Sequence, residues 1–262
     1  MEIKEMLNKI FLETKNGFEY VKEIPDKSID MILCDLPYGT TACKWDAVIP
    51  FEPLWEQYKR IIKDNGAIVL TASQPFTSAL VMSNIKMFKY EWIWEKNTGA
   101  GFIHAKNRPL KRHENVLVFS KGSMGHITLL GEKRMIYNPQ NLIKQKTIRK
   151  NGVSGTTIGD RPSHHDNLIS EFMNYPTTIL NYKNDKGLHP TQKPVALFEY
   201  LIKTYTNEGD IVLDNCIGSG TTAVACKRLN RNFIGMEIYQ NYIDISYKRL
   251  SETKQGEGLC LK

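Results

Sequence analysis

Short apolar runs alternate with amphipathic, helix-like stretches along most of the chain, and this alternation most limits the possible fold. The run at 28–35 is apolar almost throughout, which is typical of a strand covered on both faces. Strands separated by helices predict an α/β fold with a mainly parallel sheet and helices on both faces. The predicted strands are 8–13, 28–35, 66–73, 89–96, 115–122, 210–218 and 232–238, and the predicted helices are 16–24, 51–64, a stretch from about 74, 194–205, 221–230 and 240–252.

The alternation is lost between 123 and 186. This segment is rich in Gly, Asn, Thr, Lys and His, and 150–165 has the composition of a mobile loop. The pattern then resumes, so we predict one α/β domain, formed by 1–122 and 187–262, that is split by a loop-rich insertion at 123–186.

Positive charge is concentrated in and beside this insertion. Between 101 and 165 there are twelve Lys/Arg against three Asp/Glu, a local balance of +9, so with +7 overall the remainder carries −2. A polyanion such as nucleic acid would bind a segment of this kind. Charge alone leaves open a solvated basic face without a partner.

Cysteine usage and hydropathy exclude several classes of protein. The 262 residues contain no apolar stretch of the roughly 20 residues that a membrane span requires, and the first residues lack the basic and apolar regions of a signal peptide. We therefore expect a cytoplasmic protein that does not contact a membrane. The five cysteines include no C-x-x-C pair, which predicts reduced thiols and no zinc site, and His164 with His165 has no partner spacing for a metal.

A glycine turn follows the predicted strand near 210. The segment "VLDNCIGSGTTAVA" (212–225) joins a strand, a Gly-x-Gly turn and a helix, whose N-terminal N–H groups favour a carboxylate or phosphate. Glu237 ends the next strand, where an acid accepts hydrogen bonds from ribose hydroxyls. The pattern favours a nucleotide-type cofactor, while a purely structural glycine turn stays open.

A second strand ends on an acid within "MILCDLPYGT" (31–40). Ligands of open α/β sheets bind beyond the carboxyl ends of strands, so Asp35 and an exposed Tyr38 are candidates for a ligand site. An ordinary turn, in which Asp35 caps a backbone N–H, is the alternative.

Three segments together resemble the S-adenosylmethionine-dependent amino methyltransferases of DNA. "DLPYG" resembles their motif IV, (D/N/S)-P-P-(Y/F/W), "DNCIGSGTT" resembles motif I, D-P-F-x-G-S-G-T, and "HPTQKP" (189–194) is similar to motif X. Motif IV precedes motif I, which is the permuted order of the β group of this family. The resemblance implies a permuted Rossmann-like fold and covers the chain except the insertion. Leu36 and Cys216 depart from the motifs, at a proline and an aromatic position respectively.

The resemblance implies roles for the two strand ends. Asp35 and the carbonyl of Leu36 would accept the two N–H bonds of an exocyclic amino group, with Pro37 completing the motif. Tyr38 would stack on a flipped-out base. The residues implied to bind S-adenosylmethionine are Asp214, Cys216, Gly218, Ser219, Gly220, Thr221, Thr222, Glu237, Lys193 and Pro194.

The expected substrate is double-stranded DNA. Four cations in 104–119, Lys106, Arg108, Lys111 and Arg112, are expected to contact its phosphates, and 123–186 is the expected target-recognition region. Asp35 at the start of motif IV favours adenine N6 over cytosine N4, since Ser is more usual in cytosine N4 enzymes. Methylation of cytosine, an RNA or protein methyltransferase, and an inactive DNA-binding module stay as alternatives, and a homodimer and a cognate restriction endonuclease are left open.

Overall fold

The computed structural model describes residues 2–13, 19–41, 43, 46–125, 131–149, 168–185 and 192–258. Its helices are Ile3–Met6 (α1), Glu19–Glu23 (α2), Phe51–Ile61 (α3), Phe76–Ser83 (α4), Val195–Tyr205 (α5), Thr221–Arg228 (α6) and Gln240–Glu252 (α7). Its strands are Lys9–Leu12 (β1), Ile29–Cys34 (β2), Ile62–Ala72 (β3), Phe88–Ala100 (β4), Lys111–Phe119 (β5), Ile143–Arg149 (β6), Leu168–Met173 (β7), Ile179–Asn181 (β8), Ile211–Asp214 (β9) and Asn232–Glu237 (β10).

Eight strands form one sheet in the order β1-β10-β9-β2-β3-β5-β4-β8. The first five run parallel to one another, and β8 runs parallel to β4. Only β5 runs against its neighbours β3 and β4 in this sheet. The prediction of a mainly parallel α/β sheet is therefore confirmed.

Helices cover both faces of the sheet. Successive β2 side chains point to opposite faces, so Leu33 packs in the core that α5, α6 and α7 cover, and Ile32 packs in the core that α3 and α4 cover. All six residues of β2 are buried as a result. This double burial explains why the sequence of β2, apart from Asp30, is apolar rather than alternating.

The carboxyl ends of the parallel strands meet at one edge of the sheet. β2 ends at Cys34, β9 at Asp214 and β10 at Glu237, and the register pairs Gly235 of β10 with Asp214. The chain leaves β2 at Asp35, so this edge gathers Asp35, Asp214 and Glu237. The edge is the place where ligands of such sheets bind.

Several element boundaries differ from the sequence prediction. The predicted strand 210–218 ends at Asp214, because the following residues form the glycine turn. Conversely, β5 begins at Lys111 rather than 115, because it pairs with β4 as far as Ala100↔Lys111. Backbone hydrogen bonds between two antiparallel strands can stabilise a polar segment of a hairpin even where its side chains are not buried.

The segment predicted as irregular contains regular structure. β6 and β7 form an antiparallel two-stranded sheet, and β8 joins the edge of the main sheet. The sequences of β6 (IKQKTIR) and β7 (LISEFM) do not alternate between apolar and polar residues, so the period-2 signal of a strand is missing. The predicted mobile loop at 150–165, with His164 and His165, lies outside the described residues.

The chain divides into two compact units. One comprises Met1–Asn138 and Thr178–Cys260, and the other includes Pro139–Thr177. The predicted boundaries at 122 and 187 stay a prediction. None of the described helices combines the length and apolarity needed to cross a bilayer.

Candidate active site

A cavity of about 820 Å³ opens among the strand ends of the main sheet. It brings together both predicted clusters, because the loop after β2 and the turn after β9 lie side by side. Gly220 and Pro194 are absent from its lining, as are the cations Lys106, Arg108 and Arg112. The predicted residues that line it are Asp35, Leu36, Pro37, Tyr38, Lys111, Lys193, Asp214, Cys216, Gly218, Ser219, Thr221, Thr222 and Glu237.

Side-chain donors occupy both carboxylate oxygens of Asp35. Oδ1 accepts from the Tyr38 hydroxyl at 2.8 Å and from the Thr71 hydroxyl, and Oδ2 accepts from Lys193 Nζ at 2.6 Å. All three donors are side-chain groups rather than backbone N–H groups. The Leu36 carbonyl accepts no hydrogen bond within the described residues, so it is available to a ligand.

Tyr38 is half-buried, in contrast to the exposed ring that the sequence suggested. Its ring stacks on Phe76 of α4 with centroids 5.3 Å apart, and its hydroxyl oxygen lies 2.9 Å from that of Thr71. Burial and the negative charge of Asp35 raise the pKa of Tyr38 well above its usual value. The hydroxyl therefore stays protonated and donates to Asp35, a role that sequence reasoning missed.

Lys193 connects Asp35 to a second buried carboxylate. Its Nζ lies 3.3 Å from Glu114 Oε2, and Glu114 Oε1 pairs with Lys96. Burial alone would lower the pKa of Lys193, but the charges of Asp35 and Glu114 outweigh it and the pKa is raised. The four charges form an alternating chain that keeps Lys193 a cation in a buried position.

The pKa of Glu114 changes in the complementary direction. Burial would raise this pKa, but Lys193 and Lys96 outweigh burial and lower it. Sequence reasoning missed Lys96 and Glu114. Strands β4 and β5 carry other charged residues, such as Glu95 and Lys111, so charge alone did not single out Lys96 and Glu114.

Asp46 shapes the loop that follows Tyr38. Its carboxylate accepts backbone N–H groups of Gly39 at 2.8 Å, Thr40 at 2.9 Å and Thr41 at 2.6 Å. Burial would raise the pKa of Asp46, but the Thr41 hydroxyl and these backbone donors lower it. An ionised Asp46 therefore fixes the cavity wall beside Asp35.

The turn after β9 depends on two glycines. Gly218 has φ of +52° and Gly220 has φ of +83°, both in the left-handed region that favours glycine. A Cβ at Gly220 would lie 2.7 Å from Ser246 of α7, whereas a Cβ at Gly218 would meet nothing within 4 Å. Gly220 thus allows the turn to pack on α7, and Gly218 leaves open space on the cavity side.

Backbone N–H groups hold both carboxylates of this region. Glu237 accepts from Gly218 N at 2.9 Å, Ile238 N at 2.9 Å and Tyr239 N at 3.0 Å. Asp214 accepts from Cys216 N at 3.0 Å and from the Thr222 hydroxyl. Burial raises the pKa of both groups, that of Asp214 to about 7.

The residues present fit a nucleoside cofactor. A cavity of this size is ordinary for a ligand with a purine, a sugar and an amino-acid chain. The carboxylate of Glu237 keeps lone pairs for sugar hydroxyls, and Ile238 with Tyr239 and Tyr242 supplies apolar and aromatic wall beside it. The fold and the cavity thus define an α/β protein with room for a nucleoside-type ligand at the glycine turn, beside the carboxylate of Asp35.

Comparison with known proteins specifies the family. A family model described as DNA methylase matches residues 29–248. The type II methyltransferase M2.LlaDCHI of Lactococcus lactis subsp. cremoris is 46% identical over 271 residues, covering 90% of this chain and 87% of that protein. The type II methyltransferase M.HpaI of Haemophilus parainfluenzae is 31% identical over 256 residues, covering 92% and 74%. The crystal structure of the M1.HpyAVI–SAM complex superposes with a TM-score of 0.59 at 26% identity, covering 92% of this chain and all of that one.

The chain belongs to the N6/N4 DNA methylase family. It is a DNA methyltransferase that uses S-adenosylmethionine as its cofactor and DNA as its substrate. The resemblance found in motifs IV, I and X is thereby confirmed. The roles of the individual site residues stay predictions.

The four predicted DNA-binding cations are all exposed. Lys111 lines the cavity, and Arg112 Nη2 lies 3.4 Å from Glu95 Oε1. Lys106 and Arg108 lie in the loop between β4 and β5. Within the described residues, no three His, Cys, Asp or Glu side chains come together as a metal-binding set.

Proposed function

We propose that the enzyme methylates adenine N6 in double-stranded DNA. The observation that carries this proposal is Asp35, which follows β2 as the first residue of the motif and lines the same cavity as the cofactor turn. The resemblance associates Asp at this position with adenine more often than with cytosine. Cytosine N4 is the second candidate, because the family includes both activities.

Asp35 and Leu36 are proposed to activate the amino group. An exocyclic amino group is a poor nucleophile because its lone pair is delocalised into the ring. Hydrogen bonds to the Asp35 carboxylate and the Leu36 carbonyl would localise the lone pair and direct it toward the methyl group. Asp35 accepts three hydrogen bonds, from Tyr38, Thr71 and Lys193. A carboxylate has about four acceptor positions, so the amino group would take the remaining position on Oδ2 or replace one of these donors.

Lys193 is proposed to orient Asp35 through the hydrogen bond of 2.6 Å that its Nζ donates to Oδ2. S-adenosylmethionine, when bound, supplies an electrophilic methyl group on its sulfonium. After transfer, Asp35 or water accepts the proton that the amino nitrogen releases.

Glu237 is proposed to bind the cofactor ribose through lone pairs that its backbone donors leave free. Asp214, Cys216, Gly218, Ser219, Thr221 and Thr222 would form the surrounding wall. Gly220 and Pro194 do not line the cavity, so we propose that they contribute indirectly, by fixing the backbone conformation of the segments that do. Tyr38 is proposed to contact the flipped base while its hydroxyl orients Asp35.

The partners proposed with this activity are a second copy of the chain and a restriction endonuclease. The endonuclease is suggested because the two relatives compared above are named type II methyltransferases. Light scattering of the active enzyme tests the homodimer, and a monomer at working concentration contradicts it. The enzyme is proposed to act in the cytoplasm, as the sequence suggested.

Product analysis tests the base assignment. The protein is incubated with methyl-labelled S-adenosylmethionine and unmethylated plasmid DNA, and the DNA is digested to nucleosides. We expect the label in N6-methyldeoxyadenosine. Label in N4-methyldeoxycytidine would replace adenine by cytosine in this proposal.

A further inference from the structure

Backbone pairing and backbone hydrogen bonds determine the shape of the loop between β4 and β5, residues 101–110. The pair Ala100↔Lys111 closes it, and a Cβ added to Gly99 would lie 2.9 Å from Leu110 Cβ, so its two limbs touch. A 3₁₀ turn spans Phe102–His104, in which His104 N donates to Gly101 O at 2.9 Å. The loop therefore has a defined shape although every residue in it is exposed.

Two adjacent apolar side chains protrude from this turn. Phe102 is 80% exposed and Ile103 is 88% exposed, the largest fractions among the large apolar side chains of the described residues. Apolar area of this kind is unfavourable in water, and its exposure marks an interaction site more often than a random position does. The loop thus presents an apolar tip that lacks a covering element in the described fold.

Positive charge surrounds the apolar tip. Residues 101–113 contain Lys106, Arg108, Lys111 and Arg112 and no Asp or Glu. Lys111, which closes the loop, also lines the cavity that contains Asp35. This arrangement fits a partner that carries negative charge on its outside and apolar surface between stacked groups, and that reaches the cavity. Duplex DNA has these properties, because its phosphates are anionic and the faces of its stacked bases are apolar.

We propose that Phe102 and Ile103 enter the base stack of duplex DNA at the position that the flipped base leaves. This inference rests on the proposed methylation of a base in double-stranded DNA. Extrusion of a base leaves a gap with unstacked neighbours, and an inserted apolar side chain covers their faces. The surrounding cations hold the phosphates on either side, and the closed backbone of the loop keeps the tip directed at the gap.

Methylation of matched and weakened duplexes tests the proposal. The methylated position is first mapped with the wild-type enzyme on plasmid DNA. Two short duplexes then carry that site, one fully paired and one with an abasic position opposite the target base, which lowers the cost of flipping. Single-turnover methylation is measured on both with the double variant Phe102→Ala/Ile103→Ala.

We expect the double variant to methylate the paired duplex about tenfold more slowly than the wild type and to recover to within about threefold on the weakened duplex. Phe102→Leu, which keeps apolar volume, should retain most of the rate. Unaltered thermal unfolding would establish that the exposed substitutions leave the fold intact. An unchanged rate on the paired duplex, or an equal defect on both duplexes, would overturn the proposal.

Two control variants separate the tip from its surroundings. Lys106→Ala should weaken DNA binding and reduce its salt dependence, with no recovery on the weakened duplex. Met82→Ala removes another exposed apolar side chain, in α4, and should change neither rate. If the wild-type enzyme methylates cytosine, only the adenine assignment is contradicted. The proposed insertion is still tested, because the comparison of the two duplexes applies equally to a flipped cytosine.

Discussion

Asp35 and Glu237 both follow or end parallel strands at the same edge of the sheet, yet different kinds of donor hold them. Side chains of Tyr38, Thr71 and Lys193 donate to Asp35, whereas three backbone N–H groups donate to Glu237. A side-chain donor such as Lys193 can change position more easily than a backbone donor, which is fixed by the fold. We therefore propose that Asp35 can exchange a side-chain partner during the reaction and that Glu237 belongs to a preformed binding surface.

The largest expected effect is that of Asp35→Ala. Removal of the carboxylate should lower the rate of methyl transfer by about three orders of magnitude, because the amino group loses its acceptor and its orientation. Affinity for S-adenosylmethionine, measured by titration calorimetry, should change by less than about threefold, because Glu237 and the glycine turn are intact.

Asp35→Asn is the matched control for this variant. It keeps the shape of the side chain and one acceptor oxygen, so its rate should lie between those of the wild type and the alanine variant. A loss of cofactor affinity as large as the loss of rate would show that Asp35 belongs to the preformed surface and would remove the contrast with Glu237.

Glu237→Ala should have the converse effect, and a smaller one. The dissociation constant for S-adenosylmethionine is expected to rise by about 10- to 100-fold, the range for hydrogen bonds to a charged group. The rate at saturating cofactor should stay near that of the wild type. Calorimetric titration and saturation kinetics measure the two quantities separately.

Glu237→Gln controls for the structural part of this change. The alanine variant also leaves backbone donors of Gly218, Ile238 and Tyr239 without their acceptor, which is expected to lower the free energy of unfolding by about 1–3 kcal/mol. Glutamine keeps one acceptor oxygen and should lose less stability. A defect in rate with unaltered cofactor affinity would contradict the proposed role.

Asp214 provides the smallest and most specific test, through the pH dependence of stability. Burial raises the pKa of Asp214 from 3.8 to about 7. Between these values the folded protein holds a proton that the unfolded chain has released, so this group makes stability fall as the pH rises from about 4 to about 7. The effect is at most about 1.4 kcal/mol per pH unit.

Asp214→Asn removes this contribution. Urea unfolding between about pH 4 and 7 should show a free energy of unfolding that falls less steeply with pH than that of the wild type. Asp244→Asn, which alters an exposed carboxylate of α7, should leave the slope unchanged. Identical slopes for the wild type and Asp214→Asn would mean that Asp214 is ionised throughout this range.

Local patterns predicted the elements well where burial dictates composition. β2 and β10 are apolar because both faces are covered, so their strand character and their terminal acids are visible in the sequence. β6, β7 and β8 were missed, because the first two lack a regular alternation of apolar and polar residues and the third is only three residues long.

The motifs determined the family by themselves, since Asp35, Tyr38 and Gly218 occur within short, recognisable segments. Glu237 was predicted from its position at the end of the next strand. Only the tertiary structure decided which charges accompany them. Lys96 and Glu114 lie far from Asp35 and Lys193 along the chain, and ionic contacts across the sheet edge depend on strand order and register rather than on local sequence. For the same physical reason, the exposure of Tyr38 and of the Phe102–Ile103 tip became known only from the folded chain: burial depends on what the rest of the chain places nearby.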